Sequence, residues 1–554
     1  MTTIAIGLDS ACPKMIEELI ASGELPAFEN LRKRGAYGRL ENFDIFTAEL
    51  PWTTFATGVM PEKTGYWTPL KYTPDYTVHT RAAYEFDEYP AFFSLGTDYR
   101  VCSFDVPQVR LQDNLNGWQF NAWGAHSPQV AQESNVPDIY RELVRKHGKH
   151  PGLHADYAHA LDMKQTRKVY DMLMEGIRRR GDICADLIQR ERWDLFLTVF
   201  GEPHGAGHNF WQFEPDHPLF GRNIPGRELL PERPMRNILM AIDAQLQKFL
   251  DVCPEDSQFV IYSAHGMGPN TMDLPSLCFL PEFMYRWSFG RAALGQLDEL
   301  NSEWTCQAWG SWARHLWNTA DVGGPLVKMA RRYLPSGLYN RLAERWEYRA
   351  ADFPMHPILA AQNMRGLPNW QPAAWYSNCW PSMKAFALMS FSEGYVRINV
   401  RGRETDGMVE PADYRREIED ICTQLRELRC ARTGRRMVKK TVITREDPLD
   451  PNPKLPDADI VISWQESFAS DAVEHPEYGR IGPVPHFRSG SHRHEGFILL
   501  SGPAVEAGRQ INNGHALDIA PTILAMVGAG KPEYMEGTDL GGVLSASPVL
   551  AKAH

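Results

Sequence analysis

Short apolar runs alternate along the chain with longer amphipathic stretches. Thr3-Ile-Ala-Ile-Gly-Leu8 is apolar at nearly every position and stops at Asp9. So unbroken a run predicts a strand buried on both faces, as in a parallel sheet. Similar runs occupy residues 100–106, 193–200, 258–263, 459–463 and 496–500. Helical periodicity fills the intervals at 10–23, 25–35, 165–190 and 235–252, the first two closed by glycine. Strands alternating with helices predict an α/β fold: a doubly wound, mostly parallel sheet with helices on both faces. Ligands of such sheets sit beyond the carboxyl ends of the strands. Asp9, the segment from Glu202 to His208, and Ala264-His265 all follow strands directly.

Two regions depart from this rhythm. Residues 278–375 carry few strand signals and a run of tryptophans that includes Trp287, Trp304, Trp309, Trp312, Trp317 and Trp346. They predict a mainly helical insertion, whose rings either fill its own small core or form a lid over the site. Residues 376–456 read as a small α+β subdomain, with alternation at 385–389 and 395–400, a helix at 411–429 and a proline-rich loop at 447–456. On this division the core domain is split between residues 1–277 and 457–554.

Composition narrows the classes of function. The 554 residues are 43% hydrophobic and 23% charged, an ordinary globular balance, with a net charge of −11. That sign argues against non-specific binding of nucleic acid or an anionic membrane, while leaving room for a local basic pocket that takes a small anion. No apolar run approaches the roughly 18–20 residues of a membrane span, and the N-terminus has no secretory pattern. Nine cysteines without a C-x-x-C pair are expected to be reduced thiols of a cytoplasmic protein. Oligomeric state has no signature here.

Three segments carry candidate chemistry. Glu202-Pro-His-Gly-Ala-Gly-His208 holds two histidines four apart, a spacing that lets both face one ion from a helical turn. Ser263-Ala-His265-Gly-Met-Gly268 is a strand followed by a sharp glycine-rich turn. Gly490-Ser-His492-Arg-His494-Glu-Gly496 is polar and precedes an apolar strand. Imidazoles at strand ends, together with Asp9, provide nitrogen and oxygen ligands for a transition metal. The alternative is that each is an ordinary hydrogen-bonded loop residue.

The order of motifs resembles the alkaline phosphatase superfamily, in particular its type I phosphodiesterase/nucleotide pyrophosphatase-like phosphohydrolases. The matches include Trp52-Thr-Thr-Phe-Ala-Thr-Gly58 with Pro61, Asn116-Gly-Trp118, and Asn209-Phe-Trp211 with Asp216-His-Pro218. Ile398-Asn-Val-Arg-Gly-Arg403, Gly502-Pro503, and Leu517-Asp-Ile-Ala-Pro-Thr-Ile-Leu524 followed by Met535-Glu-Gly537 extend them toward the C-terminus. The resemblance implies two metal ions, usually zinc, that hold a threonine or serine nucleophile against a phosphorus or sulfur centre. Carried over by position, Asp9 matches the first-strand aspartate, and His208 the histidine of a D-x-x-x-H segment. His265 matches the histidine of an Asp-His pair, and His492 a late histidine ligand. Three positions differ. His204 stands where the D-x-x-x-H aspartate is expected, Ala264 replaces the aspartate before His265, and the nucleophile position falls on Ala48, beside Thr47.

These differences imply a rebuilt site. Asp9 and His265 alone are poor holders of a second ion, whereas His204, His208 and His492 would grip one divalent transition metal, zinc first, with iron or manganese as alternatives. The expected activity is hydrolysis of a phosphate ester or diester, with ion-activated water in place of the missing nucleophile. Asp9 or His265 would act as general base, with Thr47 a catalytic candidate if it takes over the neighbouring position. Arg493 and His494 are expected to contact an anionic small-molecule substrate, and His494 and Glu202 to orient the metal ligands. Two other readings remain open: a lyase or oxidative enzyme using the same three-histidine centre, and a ligand-binding pseudoenzyme.

Overall fold

The computed structural model describes residues 1–43, 50–81, 83–124, 130–152, 162–294, 371–486 and 488–540, with isolated positions between 300 and 338. Trp309, Trp312, Trp317 and Trp346 lie outside the described residues, as do Thr47 and Ala48.

The Thr3–Leu8 strand runs through the middle of a ten-stranded sheet. Both its neighbours, Leu195–Phe200 and Gln258–Ser263, are parallel to it. Gly96–Phe104 and Leu115–Asn121 continue the parallel order on one side. On the other, Gly496–Ser501 pairs antiparallel with both Gln258–Ser263 and Gly35–Glu41. The sheet is therefore mixed and mostly parallel, with helices on both faces.

Its central strand is apolar throughout because both faces are covered. Ile4, Ile6 and Leu8 pack with Phe28, Ile177, Leu187, Ile238 and Phe249 on one side. Ala5 joins Leu197, Val260 and Tyr262, with Trp52, Phe55, Ile519 and Ile523, on the other. Gly7 belongs to the second face, where an added Cβ would lie 2.9 Å from Val199 and 3.0 Å from the Tyr262 ring. At about 25 cal/mol per Å2, burying so many large side chains dominates the folding free energy.

Helices leave the sheet at residues suited to start them. Pro13 and Pro26 each open a helix, Pro13–Ala21 and Pro26–Lys33, at the turn where a missing N–H costs nothing. The first begins later than the periodicity predicts: Ser10 lies outside it, in a turn with φ of 58°. Long helices Met163–Arg190 and Pro234–Val252 cover the face of the sheet that carries Ile4 and Ile6.

A third hydrophobic cluster forms around a separate antiparallel sheet of Ala385–Leu388, Gly394–Ile398, Ile460–Trp464 and Val438–Ile443. The Tyr414–Arg426 helix and the Leu280–Phe289 helix share this cluster. The run at 459–463, expected in the central sheet, thus belongs to the small one. Its apolar pattern reports burial on both faces and says nothing about which sheet supplies the neighbours. Buried Asp459 anchors it there, accepting from Ile398 N at 2.7 Å and pairing with half-buried Arg403 at 2.7 Å.

No helix among the described residues is long and apolar enough to cross a membrane. No disulfide joins any two of the eight described cysteines.

Candidate functional site

The three central strands end side by side, and each delivers polar side chains to the same place. After Leu8 come Asp9 and Ser10. After Phe200 the Glu202–Phe210 helix begins, opened by Pro203. After Ser263 the chain passes Ala264 and His265 into a short strand, Gly266–Pro269, which pairs antiparallel with Gly490–Arg493. This hairpin-like pair lies against the Glu202–Phe210 helix and carries His492 beneath it.

Two glycines let these elements meet. A Cβ on Gly490 would lie 2.3 Å from the Gly207 carbonyl oxygen, and one on Gly207 would lie 2.6 Å from Met267 Cγ. The resulting close approach allows His208 Nδ1–H to donate to Gly490 O at 2.8 Å. Ser489 fastens the same turn, its N–H and its hydroxyl donating to His208 O at 2.9 and 3.0 Å. A carbonyl only accepts, so Nδ1 of His208 carries the proton and Nε2 presents a lone pair. That Nε2 lies 3.1 Å from His204 Nε2.

His492 completes a buried cluster. Its ring centroid is 5.2 Å from that of His204 and 5.1 Å from that of His208. Among the described residues, His204, His208 and His492 form a set of three metal-capable donors whose atoms all lie within 4.8 Å of one another. Three neutral nitrogens at this spacing, one already oriented by a backbone carbonyl, fit a first-row dication with bonds of about 2.0–2.1 Å and an open position.

His265 and Asp9 stand next to this trio. The His265 ring is 5.0 Å from that of His492, and His265 Nε2 is 3.8 Å from Asp9 Oδ1. Between them is a residue that the helical periodicity of 10–23 places inside a helix. Ser10 Oγ lies 2.9 Å from His265 Nε2, 3.4 Å from His492 Nδ1 and 3.2 Å from Asp9 Oδ1. All six side chains are buried. The available signal for Ser10 was its place directly after Asp9, at the end of a buried strand.

Other expected contacts are made elsewhere. Glu202 does not reach the histidines. It turns away to buried Arg180 and His150, at 3.1 and 3.2 Å, and Arg180 also binds Asp105 at 2.8 Å. Burial pushes the Glu202 carboxyl up, but Arg180 and His150 outweigh it and hold it below its ordinary value. Arg493 and His494, expected at the substrate, make contacts with other protein groups. Side chains alternate along a strand, so Arg493 faces away from His492. It donates to the carbonyls of Ser491, His492 and Pro269 and lines a 550 Å3 cleft with Cys12, Trp211, Asp216 and Glu466. His494 pairs with Glu466. Arg401 is an exposed partner of Glu410, and Asp216 accepts from Trp211 Nε1 at 3.0 Å.

Comparison with known proteins bears on this arrangement. No curated protein sequence matches the chain. Among solved structures, phosphonoacetate hydrolase from Sinorhizobium meliloti 1021 in complex with phosphonoformate is 12% identical, with 96% of this chain and 95% of that one covered and a TM-score of 0.46. Murine ectonucleotide pyrophosphatase/phosphodiesterase 5, as an inactive variant with AMP, is 11% identical, with 98% and 100% covered and a TM-score of 0.46. A family model described as type I phosphodiesterase / nucleotide pyrophosphatase matches residues 3–284, which include the first three strand ends and the helix bearing His204 and His208. That match spans more than half of the sequence, and the chain belongs to the type I phosphodiesterase/nucleotide pyrophosphatase family of phosphoryl hydrolases.

Proposed function

We propose that the chain hydrolyses a phosphate ester or diester of a small anionic substrate at a site holding a single divalent metal ion through His204, His208 and His492. The observation that carries this reading is the convergence of those three buried imidazoles, with donor atoms within 4.8 Å of one another. When bound, such an ion supplies positive charge to phosphoryl oxygens and makes water more acidic.

The protein's own residues have separable tasks. His208 is held with Nε2 inward by the Gly490 carbonyl. His204 keeps its place on the same helical face through the four-residue spacing. His265 and Asp9, beside the trio, would move a proton during the reaction as general base and its charged neighbour. In this reading Ala264, where a carboxylate would be needed for a second ion, leaves the neighbouring position without a strong ligand.

Metal analysis of protein purified without added ions, followed by a screen of p-nitrophenyl phosphate, its diesters and sulfate esters, tests the reading. One tightly held zinc, iron or manganese per chain and turnover of a phosphate ester or diester are expected. Two tightly held ions would overturn the single-ion site, and silence toward every phosphate ester with metal loaded would overturn the hydrolase assignment.

A further inference from the structure

Ser10 is held in a backbone conformation that L-residues seldom adopt, at a buried strand end. Its φ of 58° lies in the left-handed region, where glycine is favoured. Strain of that kind persists when the surrounding structure holds it, and it collects at functional positions. The turn is locked from outside: Ser263 Oγ accepts from Ala11 N at 3.1 Å and donates to the His265 carbonyl at 2.7 Å. That pair of bonds fixes the Ser10 turn against the His265 turn.

The side chain uses this placement. The Ser10 hydroxyl has one proton and three polar partners in reach, of which His265 Nε2 at 2.9 Å is the nearest, ahead of Asp9 Oδ1 at 3.2 Å. A hydroxyl on a strained turn between a strand and a helix, within hydrogen-bond reach of an imidazole, is the arrangement in which serine becomes a nucleophile. On its other side, 3.4 Å away, is His492 of the proposed metal trio.

The geometry points to Ser10 as the attacking nucleophile, forming a phosphoseryl intermediate with His265 as its base. The inference rests on the phosphoester hydrolase reading above and replaces direct attack by water in it. In the first half, the Ser10 Oγ–H proton passes to His265 Nε2 and an Oγ–P bond forms. The P–O bond to the leaving group breaks, and the leaving oxygen keeps the electron pair and takes a proton from His265 or solvent. In the second half, water attacks phosphorus and gives a proton to His265, the Oγ–P bond breaks, and Oγ regains a proton. No oxidation state changes, and water is the only co-reactant.

The test is acid quenching of metal-loaded full-length protein turning over p-nitrophenyl phosphate and bis(p-nitrophenyl) phosphate, with product release followed and peptides mapped by mass spectrometry. The expected result is a phosphoryl adduct on Ser10 in the wild type. It should be absent from Ser10→Gly and Ser10→Ala, with turnover reduced at least a hundredfold. Ser10→Gly suits the positive φ, so an unchanged melting temperature separates lost chemistry from lost folding. Product release with no adduct, with an adduct on another residue, or with normal turnover in Ser10→Gly overturns the role of Ser10 and leaves the hydrolase reading intact. Absence of both product and adduct overturns both.

Discussion

Replacing Gly490 with alanine should loosen the proposed metal-binding trio without changing any of its three histidines. The added Cβ would sit 2.3 Å from Gly207 O and 3.1 Å from Gly268 O. Both are backbone atoms, so no side chain can swing aside, and the strand bearing His492 must retreat from the helix bearing His204 and His208. Overpacking of this kind costs about 1–3 kcal/mol. Stretching the 2.8 Å His208–Gly490 bond adds about 0.5–1.5 kcal/mol. A total near 2–4 kcal/mol is expected, and loss of an orienting partner weakens metal binding by about 10–100-fold. Gly205→Ala is the matched control. It lies on the same helix as His204 and His208, but its Cβ would meet only the Leu173 side chain, at an ordinary 3.5 Å or more, so removing glycine from a helix should stabilise by about 0.5–1 kcal/mol. Melting curves and zinc competition against a chelator, run on both variants, read these effects. If Gly490→Ala binds zinc as the wild type does, or if both substitutions cost the same, the close approach of strand and helix does not orient the trio.

Two further perturbations probe the surroundings. Arg180→Met leaves Asp105 and Glu202 facing each other without their shared cation in a fully buried setting, and should lower stability by about 3–5 kcal/mol in thermal or urea unfolding. Its effect on turnover should follow displacement of the Glu202–Phe210 helix. His486 tests the pH response. Burial depresses it from 6.5 to about 4, so between those values the unfolded chain takes up the proton first. Stability therefore falls as pH drops from 6.5 toward 4, by about 3 kcal/mol at the lower end. His217, 5.5 Å away and also pushed down by burial, adds to the same slope. His486→Phe keeps a ring to stack on Trp304 and should flatten the slope measured by melting between pH 4 and 7; an unchanged slope would show that His486 does not contribute.

Much of this molecule was legible as a line of letters, because burial on both faces of a strand and the period of a helix leave local marks. Thr3–Leu8 needed no tertiary information, and neither did the placing of Asp9, Glu202–His208 and Ala264-His265 directly after the strands ending at Leu8, Phe200 and Ser263. The two histidines of the Glu202–Phe210 helix were readable from their spacing alone. Other features depended on partners distant in sequence. An apolar run at 459–463 looks the same in either sheet, and only pairing with Gly394–Ile398 decides its place. The strands Gly35–Glu41 and Leu115–Asn121 escaped notice because their outer residues are polar or glycine, and neighbouring strands supply their order.

The same division runs through the site. Residue identity determined which groups could bind a metal, since imidazole and carboxylate chemistry belongs to the side chain itself. Direction did not follow from identity. Arg493 and His492 are adjacent in sequence yet face opposite sides of a strand, and Glu202 serves Arg180 and His150 because the helix starts with it turned away from its own histidines. Ser10 is not legible in the sequence because the turn that carries it is held by the bond from Ala11 N to Ser263 Oγ, more than two hundred residues away. Chain chemistry is local, but which atoms share a cavity is settled by long-range packing, and here that packing brought a serine hydroxyl to the centre.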